Sequence, residues 1–173
     1  MLRQAIGLAV VLGFLGGLGL AAAAPPPKQP EGEVRQASAV FLEQPLSEAG
    51  KAAAKTIVDF AVECDNVTVD VDSVSVPWFG EGKKNKYGSE LAVAYIAGNL
   101  LSQLDSGVKR NDPYSGLIQV FRVYRQLKAK DASCSIPEVE NLLAMHRKGE
   151  LVSYLAKAEK AANTAAGKGG KKN

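Results

Sequence analysis

The chain has few of the side chains that most often carry chemistry. It contains one histidine, two cysteines and one tryptophan among 173 residues. No Cys-x-x-Cys pair, nucleophile elbow, phosphate-binding loop, cofactor fingerprint or metal-ligand spacing occurs. A serine or cysteine hydrolase would have to be built on His146 alone. We therefore expect a non-enzymatic protein without a cofactor. A hydrolase of unfamiliar type that uses His146 is kept as an alternative.

Charge is missing from the amino terminus, where no charged residue lies between Arg3 and Lys28. A short basic start, an apolar run and small residues before a proline are what a signal peptidase reads. Residues 1–24 are thus predicted to be a signal peptide, and the protein is predicted to be secreted or periplasmic. We expect cleavage after Ala22, Ala23 or Ala24. The alternative is an uncleaved anchor, because about 20 apolar residues can span a bilayer. No later run is long enough, so no transmembrane segment is expected after cleavage.

A basic fold surface is also lacking. Beyond the signal peptide, 25–156 carries 15 basic and 17 acidic residues, whereas 157–173 carries five lysines and one glutamate. A nucleic-acid binder would show its basic patch on the fold itself, so no nucleic-acid partner is expected. Residues 157–173 are predicted to be a disordered basic tail. Four prolines in 25–39 predict a flexible lead-in, which leaves 40–156 as a single globular helical domain.

Helical periodicity runs through most of this domain and predicts a mainly α fold, with four to five helices in a small bundle. Four helix starts have capping signals, and one of them is Ser89 with Glu90 at the start of a helix predicted to run to about Asp105. Ser47 precedes a helical pattern, Asp112 precedes a proline, and Ser135 stands three residues before a glutamate in a capping box.

A short β excursion is predicted at about residues 66–76, after the first helix. Three valines alternate with polar residues from Val67 to Val71, which is the period of a half-buried strand. The apolar phase then slips at Asp72 and Ser73. Since a strand with one buried face cannot slip by one residue, these two residues predict a tight turn or a bulge.

Two cysteines in an exported chain favour one disulfide bond, between Cys64 and Cys134. Closing the long loop between these two cysteines stabilises a fold by about 4 kcal/mol on the chain-entropy model. The alternative is a pair of separate thiols, which could be redox-active.

One segment combines aromatic and basic residues and is the candidate binding site. Exposed aromatic rings beside cations can hold a glycan, an anion or a partner's surface. The site comprises Trp78, Phe79, Lys83, Lys84, Lys86 and Tyr87. The alternative is that Trp78 lies in the core and the lysines belong to an ordinary solvated loop.

Asp70 and Asp72 are weak candidates for a metal site, because calcium favours several carboxylate oxygens. The spacing of an EF-hand is absent, so no metal is assigned. A solvated edge that discourages strand-to-strand aggregation is the alternative role for these residues.

Together these features predict a non-enzymatic secreted or periplasmic protein that binds a partner protein or a cell-envelope component. The alternative is a small-ligand or ion-binding protein, using a cleft between helices or the face of Asp70 and Asp72. The oligomeric state has no sequence signal.

Overall fold

The computed structural model describes residues 31–80, 82 and 85–168, with side chains to residue 160. The described residues form six α-helices and contain no β-strand. The helices are α1 (Glu31–Glu43), α2 (Glu48–Glu63), α3 (Gly88–Ser106), α4 (Pro113–Lys130), α5 (Pro137–Arg147) and α6 (Leu151–Lys168). The predicted helical class is therefore confirmed, whereas the helix count and the β excursion are not.

Helix α3 is central and packs most extensively against α4, where two glycines face each other. A Cβ atom added at Gly98 would lie 2.5 Å from the carbonyl oxygen of Ser115, and one added at Gly116 would lie 2.6 Å from the ring of Tyr95. Both distances are far shorter than van der Waals contact allows. The two helices therefore cross closely because neither carries a side chain at the crossing.

Helix α1 occupies residues that were predicted to belong to the flexible lead-in. Residues 31–39 are helical, and Val34 and Phe41 are almost completely buried. The apolar residues recur at helical spacing, so the face they form packs on the bundle even though prolines precede it. Residues 1–30, including the predicted signal peptide and its cleavage site, lie outside the described residues.

Helix α6 likewise extends into the predicted disordered tail. Its first turns are fixed by the buried Leu151 and Leu155, and the helix continues to Lys168. Alanine and lysine have high helix propensity, which favours continuation of the helix beyond Leu155. Residues 169–173 lie outside the described part of the chain.

Two of the four predicted helix caps are confirmed, whereas Ser89 lies inside α3, whose cap residue is Tyr87 and has no side-chain capping hydrogen bond. Ser47 accepts a hydrogen bond from the backbone N–H of Gly50, and Asp112 accepts one from that of Ser115. Ser135 does not cap α5: the cap residue is Ile136, whose N–H donates to the hydroxyl of Tyr124 at 3.1 Å. A side chain from α4 thus replaces the predicted capping box.

The connection 64–87 contains a segment without helix or strand, 67–72, inside the range where the β excursion was predicted. Its backbone partners are side chains of α3 and of the α3–α4 turn, so no sheet forms in the described chain. At the predicted phase slip, Asp72 accepts hydrogen bonds from the N–H groups of Val74 and Ser75, both at 2.8 Å. The slip is therefore a turn held by the Asp72 carboxylate.

Cys64 and Cys134 are free thiols in this structure, so the predicted disulfide is not formed in it. Four residues after Cys64, Thr68 bonds to Gln103 near the carboxyl end of α3. Cys134 donates its N–H to Asp131, which binds Tyr87 just before the amino end of α3. At 1.5 Å per residue, these two ends of α3 are about 24 Å apart. A disulfide requires Cα atoms within about 7 Å of each other.

Candidate functional site between α4 and α5

A cleft of about 400 Å³ opens between the outer face of α4 and the side of α5. It is lined by Tyr124, Arg125, Lys128, Glu140, Leu143 and Arg147. Three of the six are cations and one is an anion. The lining is therefore basic, with an apolar and aromatic floor.

The Tyr124 hydroxyl fixes the polar side of this cleft. It accepts the N–H of Ile136 at 3.1 Å and donates to Glu140 at 2.7 Å. Glu140 also accepts from Lys128 at 2.7 Å, and the Lys128 ammonium lies 5.4 Å from the centre of the Tyr124 ring. The hydrogen bonds from Lys128 and Tyr124 hold the pKa of Glu140 below its ordinary value. Glu140 is thus ionised at neutral pH and neutralised by Lys128.

Arg125 and Arg147 are the two cations of the cleft without a counterion. Both are exposed, and neither forms an ion pair or a side-chain hydrogen bond with any residue that the structure describes. A guanidinium presents a planar fork of donors that matches a carboxylate or a phosphate. Leu143 also lines the cleft and supplies apolar contact. The cleft can therefore bind an oxyanion attached to an apolar group.

His146 lies next to this cleft but faces α4. Its half-buried ring packs against Phe121, with centroids 5.5 Å apart, and against Tyr114 at 6.0 Å. No group of three or more histidine, cysteine or acidic side chains is arranged to hold a metal ion within the described residues. The contacts of His146 are thus those of a packed ring at a helix interface.

The predicted aromatic–basic binding site is divided by the fold. Trp78 is completely buried, so it cannot contact a partner, whereas Phe79 is 44% exposed. Lys83 and Lys84 lie outside the described residues. The structure therefore does not place these side chains on one surface with Trp78.

Lys86 and Tyr87 instead form a contact that stabilises the fold. Both donate to one carboxylate oxygen of Asp131, at 2.7 and 2.9 Å, and Ser133 donates to the other. The hydrogen bonds of Lys86, Ser133 and Tyr87 hold the pKa of Asp131 well below its ordinary value. This contact ties the end of the 64–87 connection to the α4–α5 turn.

The carboxylates of Asp70 and Asp72 have separate surroundings. The Asp72 carboxylate is engaged by the turn at residues 72–75. Asp70 is exposed, and its backbone N–H donates to Asn111 at 3.0 Å. The pair does not form a metal-binding group in the described structure.

The cleft was not predicted from the sequence, although the sequence contains a signal for it. Arg125 and Lys128 fall on the polar side of α4, where charged residues usually face solvent. Their relation to Arg147 depends on how α5 folds back across α4, which a linear pattern does not contain. The available signal was that α4 carries four basic residues and no acidic one.

Comparison with known proteins gives no relative: no protein-family model, curated protein or solved structure matches the chain. Among the described residues, no helix is both long enough and apolar enough to cross a bilayer.

Proposed function

We propose that this chain is a non-enzymatic exported protein that binds a partner protein or a cell-envelope component through the cleft between α4 and α5. The observation that carries the proposal is the pair Arg125 and Arg147, two exposed guanidiniums at one concave site that have no counterion among the described residues. Their natural ligands are carboxylate or phosphate groups. Export is inferred from residues 1–24.

The charge distribution supports an acidic partner. Residues 113–160 carry eight basic and five acidic side chains, whereas residues 31–80 carry three basic and nine acidic ones. An acidic partner is attracted to the first region and repelled by the second. Such complementarity directs orientation and speeds association more than it adds affinity.

Charge reversal at the cleft tests this function. Arg125→Glu with Arg147→Glu replaces both unpaired cations, and Arg122→Glu with Lys130→Glu is the matched control on exposed residues of α4 outside the cleft. We expect capture from a native envelope fraction to be lost in the cleft variant and retained in the control. Equal capture by both variants would remove the cleft as the binding site.

The second candidate is a small-anion-binding protein using the same cleft, and the cleft volume of about 400 Å³ favours it. Calorimetric titration with inorganic phosphate and citrate distinguishes the two. Saturable heat that disappears in the Arg125→Glu, Arg147→Glu variant supports the small-anion function. Flat titrations together with cleft-dependent capture support the macromolecular one.

A further inference from the structure

The extended segment 67–72 has hydrogen-bonded groups on one edge. The side-chain amide of Gln103 accepts the N–H of Thr68 at 3.0 Å and donates to the carbonyl of the same residue at 2.7 Å. Asn111 accepts the N–H of Asp70 at 3.0 Å, and the Tyr95 hydroxyl donates to the Asp70 carbonyl at 3.1 Å. Four consecutive backbone groups on one edge are therefore satisfied, as a neighbouring strand would satisfy them.

These side chains are fixed by a buried network. Gln103 also donates to Asn99 at 2.6 Å, and Asn99 donates to Asn111 at 2.6 Å. Asn99 and Gln103 are almost completely buried. A fully connected polar network of this kind has one low-energy arrangement, so it holds the segment in one register.

The opposite edge of the segment has no hydrogen-bond partner among the described residues. Thr68 and Asp70 each bond toward α3 or the α3–α4 turn through both backbone groups, which is the alternation of an extended chain. We infer from it that the backbone groups of Val69 and Val71 point away from α3. Neither residue forms a backbone hydrogen bond with any other described residue. Val69 is half-buried, Val71 is 40% exposed, and the neighbouring Asp70 is exposed. The backbone of these two valines is thus the outer edge of a strand without a partner.

We propose that this outer edge is a second binding site, which takes an extended, basic segment of a partner protein by strand addition. Main-chain hydrogen bonds from an added strand would satisfy the N–H and C=O groups of Val69 and Val71. The inference is independent of the α4–α5 cleft, which lies on other elements of the fold.

The charge of the edge determines the kind of strand. Asp70 and Asp72 lie on either side of Val71, so a strand that carries lysine or arginine at alternate positions places cations opposite them. A second copy of this chain is disfavoured. Antiparallel registers that pair Val69 with Val71, or Val71 with itself, set Asp70 against another aspartate, and like charges directly opposite destabilise a strand pair.

Amide hydrogen exchange, measured on the protein obtained by expressing the full chain, tests the proposal. The probe is a fluorescein-labelled seven-residue peptide of alternating lysine and valine. Without it, we expect protected amides at Thr68 and Asp70 and rapid exchange at Val69 and Val71. Saturating peptide should slow exchange at Val69 and Val71 by roughly tenfold or more.

A matched pair of variants isolates the backbone contribution. Val71→Pro removes the N–H of the outer edge without breaking an internal hydrogen bond, and Val71→Ala keeps that N–H while losing most of the side chain. We expect Val71→Pro to weaken binding by about tenfold and Val71→Ala by no more than about twofold, measured by fluorescence anisotropy. Retained protection of Thr68 verifies that both variants are folded.

Three results would overturn the proposal. The first is unchanged exchange at Val69 and Val71 with saturating peptide. The second is equal binding by a peptide N-methylated on its valines, or by an alternating glutamate–valine peptide. The third is protection of both valines by raising the protein concentration alone, which would identify a second copy as the occupant. None of these results depends on Arg125 or Arg147, so failure here is distinguishable from failure of the cleft.

Discussion

The outer edge of segment 67–72 and the α4–α5 cleft differ in how their recognition groups are supported. The edge presents backbone groups, and the neutral side chains behind it, Gln103 and Asn99, have nearly all of their hydrogen bonds satisfied inside the protein. The cleft presents guanidiniums, and Arg125 and Arg147 have no partner among the described residues. The edge depends on burial for its geometry, whereas the cleft depends on exposed charge.

This difference predicts different sensitivities. Changes behind the edge should alter stability first, because buried amides left without partners cost free energy. Charge changes in the cleft should alter binding and its salt dependence, because exposed charges contribute little to stability. Three substitutions test the comparison, one on the framework shared by both surfaces and one on each surface.

The largest effect is expected from Gly116→Ala at the α3–α4 crossing. The new Cβ atom would lie 2.6 Å from the Tyr95 ring and 2.9 Å from its carbonyl oxygen, so the helices must separate. We expect a loss of about 3 kcal/mol in the free energy of unfolding. Because Tyr95 also binds Asp70, the outer edge should weaken. Because α4 carries half of the cleft lining, displacement of α4 should weaken the cleft as well.

Gly32→Ala is the matched control, since a Cβ atom at Gly32 meets nothing within 4 Å. Gly32 lies in α1, where alanine is favoured over glycine by roughly 0.5–1 kcal/mol. Urea denaturation of both variants should give shifts of opposite sign. Equal shifts would mean that the crossing is not as close as the structure has it.

An intermediate effect is expected from Gln103→Met, which keeps the side-chain length but removes the amide. The N–H and carbonyl of Thr68 then lose their partner, and Asn99 loses a donor. We expect a loss of about 2 kcal/mol in the free energy of unfolding. Exchange at Thr68 should become fast, while binding at the α4–α5 cleft stays unchanged.

Gln103→Glu tests the same hydrogen bonds through the pH dependence of the variant's stability. The ionised carboxylate still accepts the Thr68 N–H, but it faces the Thr68 carbonyl and the Asn99 oxygen without a proton to donate. We expect the folded-state pKa of Glu at this position to rise above its unfolded value of about 4.3. A raised pKa means that the folded state binds more protons. The variant should therefore approach wild-type stability as pH falls and lose it as pH rises through the folded pKa.

Two helix starts were predictable from sequence because their capping signals are local. Ser47 and Asp112 each cap the helix that follows directly in the chain. The extended character of segment 67–72 was also visible in the alternation of its valines. The partner of that segment was not visible, because Gln103 lies 35 residues from Thr68 and a glutamine inside a helix is usually solvated.

The candidate site was less predictable than the fold. Trp78 beside lysines resembles an exposed binding loop, but the burial of Trp78 depends on how the whole connection packs. The two cysteines were predicted to pair from compartment alone, whereas pairing also requires proximity, and elements bound to opposite ends of α3 carry them. In both cases the missing information was the three-dimensional arrangement around α3.

The smallest stability effect is expected from Tyr124→Phe in the cleft. The hydroxyl accepts the Ile136 N–H and donates to Glu140, so its removal leaves a backbone donor at the start of α5 without a partner. We expect a loss of about 1 kcal/mol in the free energy of unfolding, measured by urea denaturation. If charge dominates recognition in the cleft, this variant keeps its salt-dependent binding, because Arg125 and Arg147 are untouched. A loss of binding as complete as that of the double arginine variant would instead show that the cleft, like the outer edge, depends on a hydrogen-bonded framework behind it.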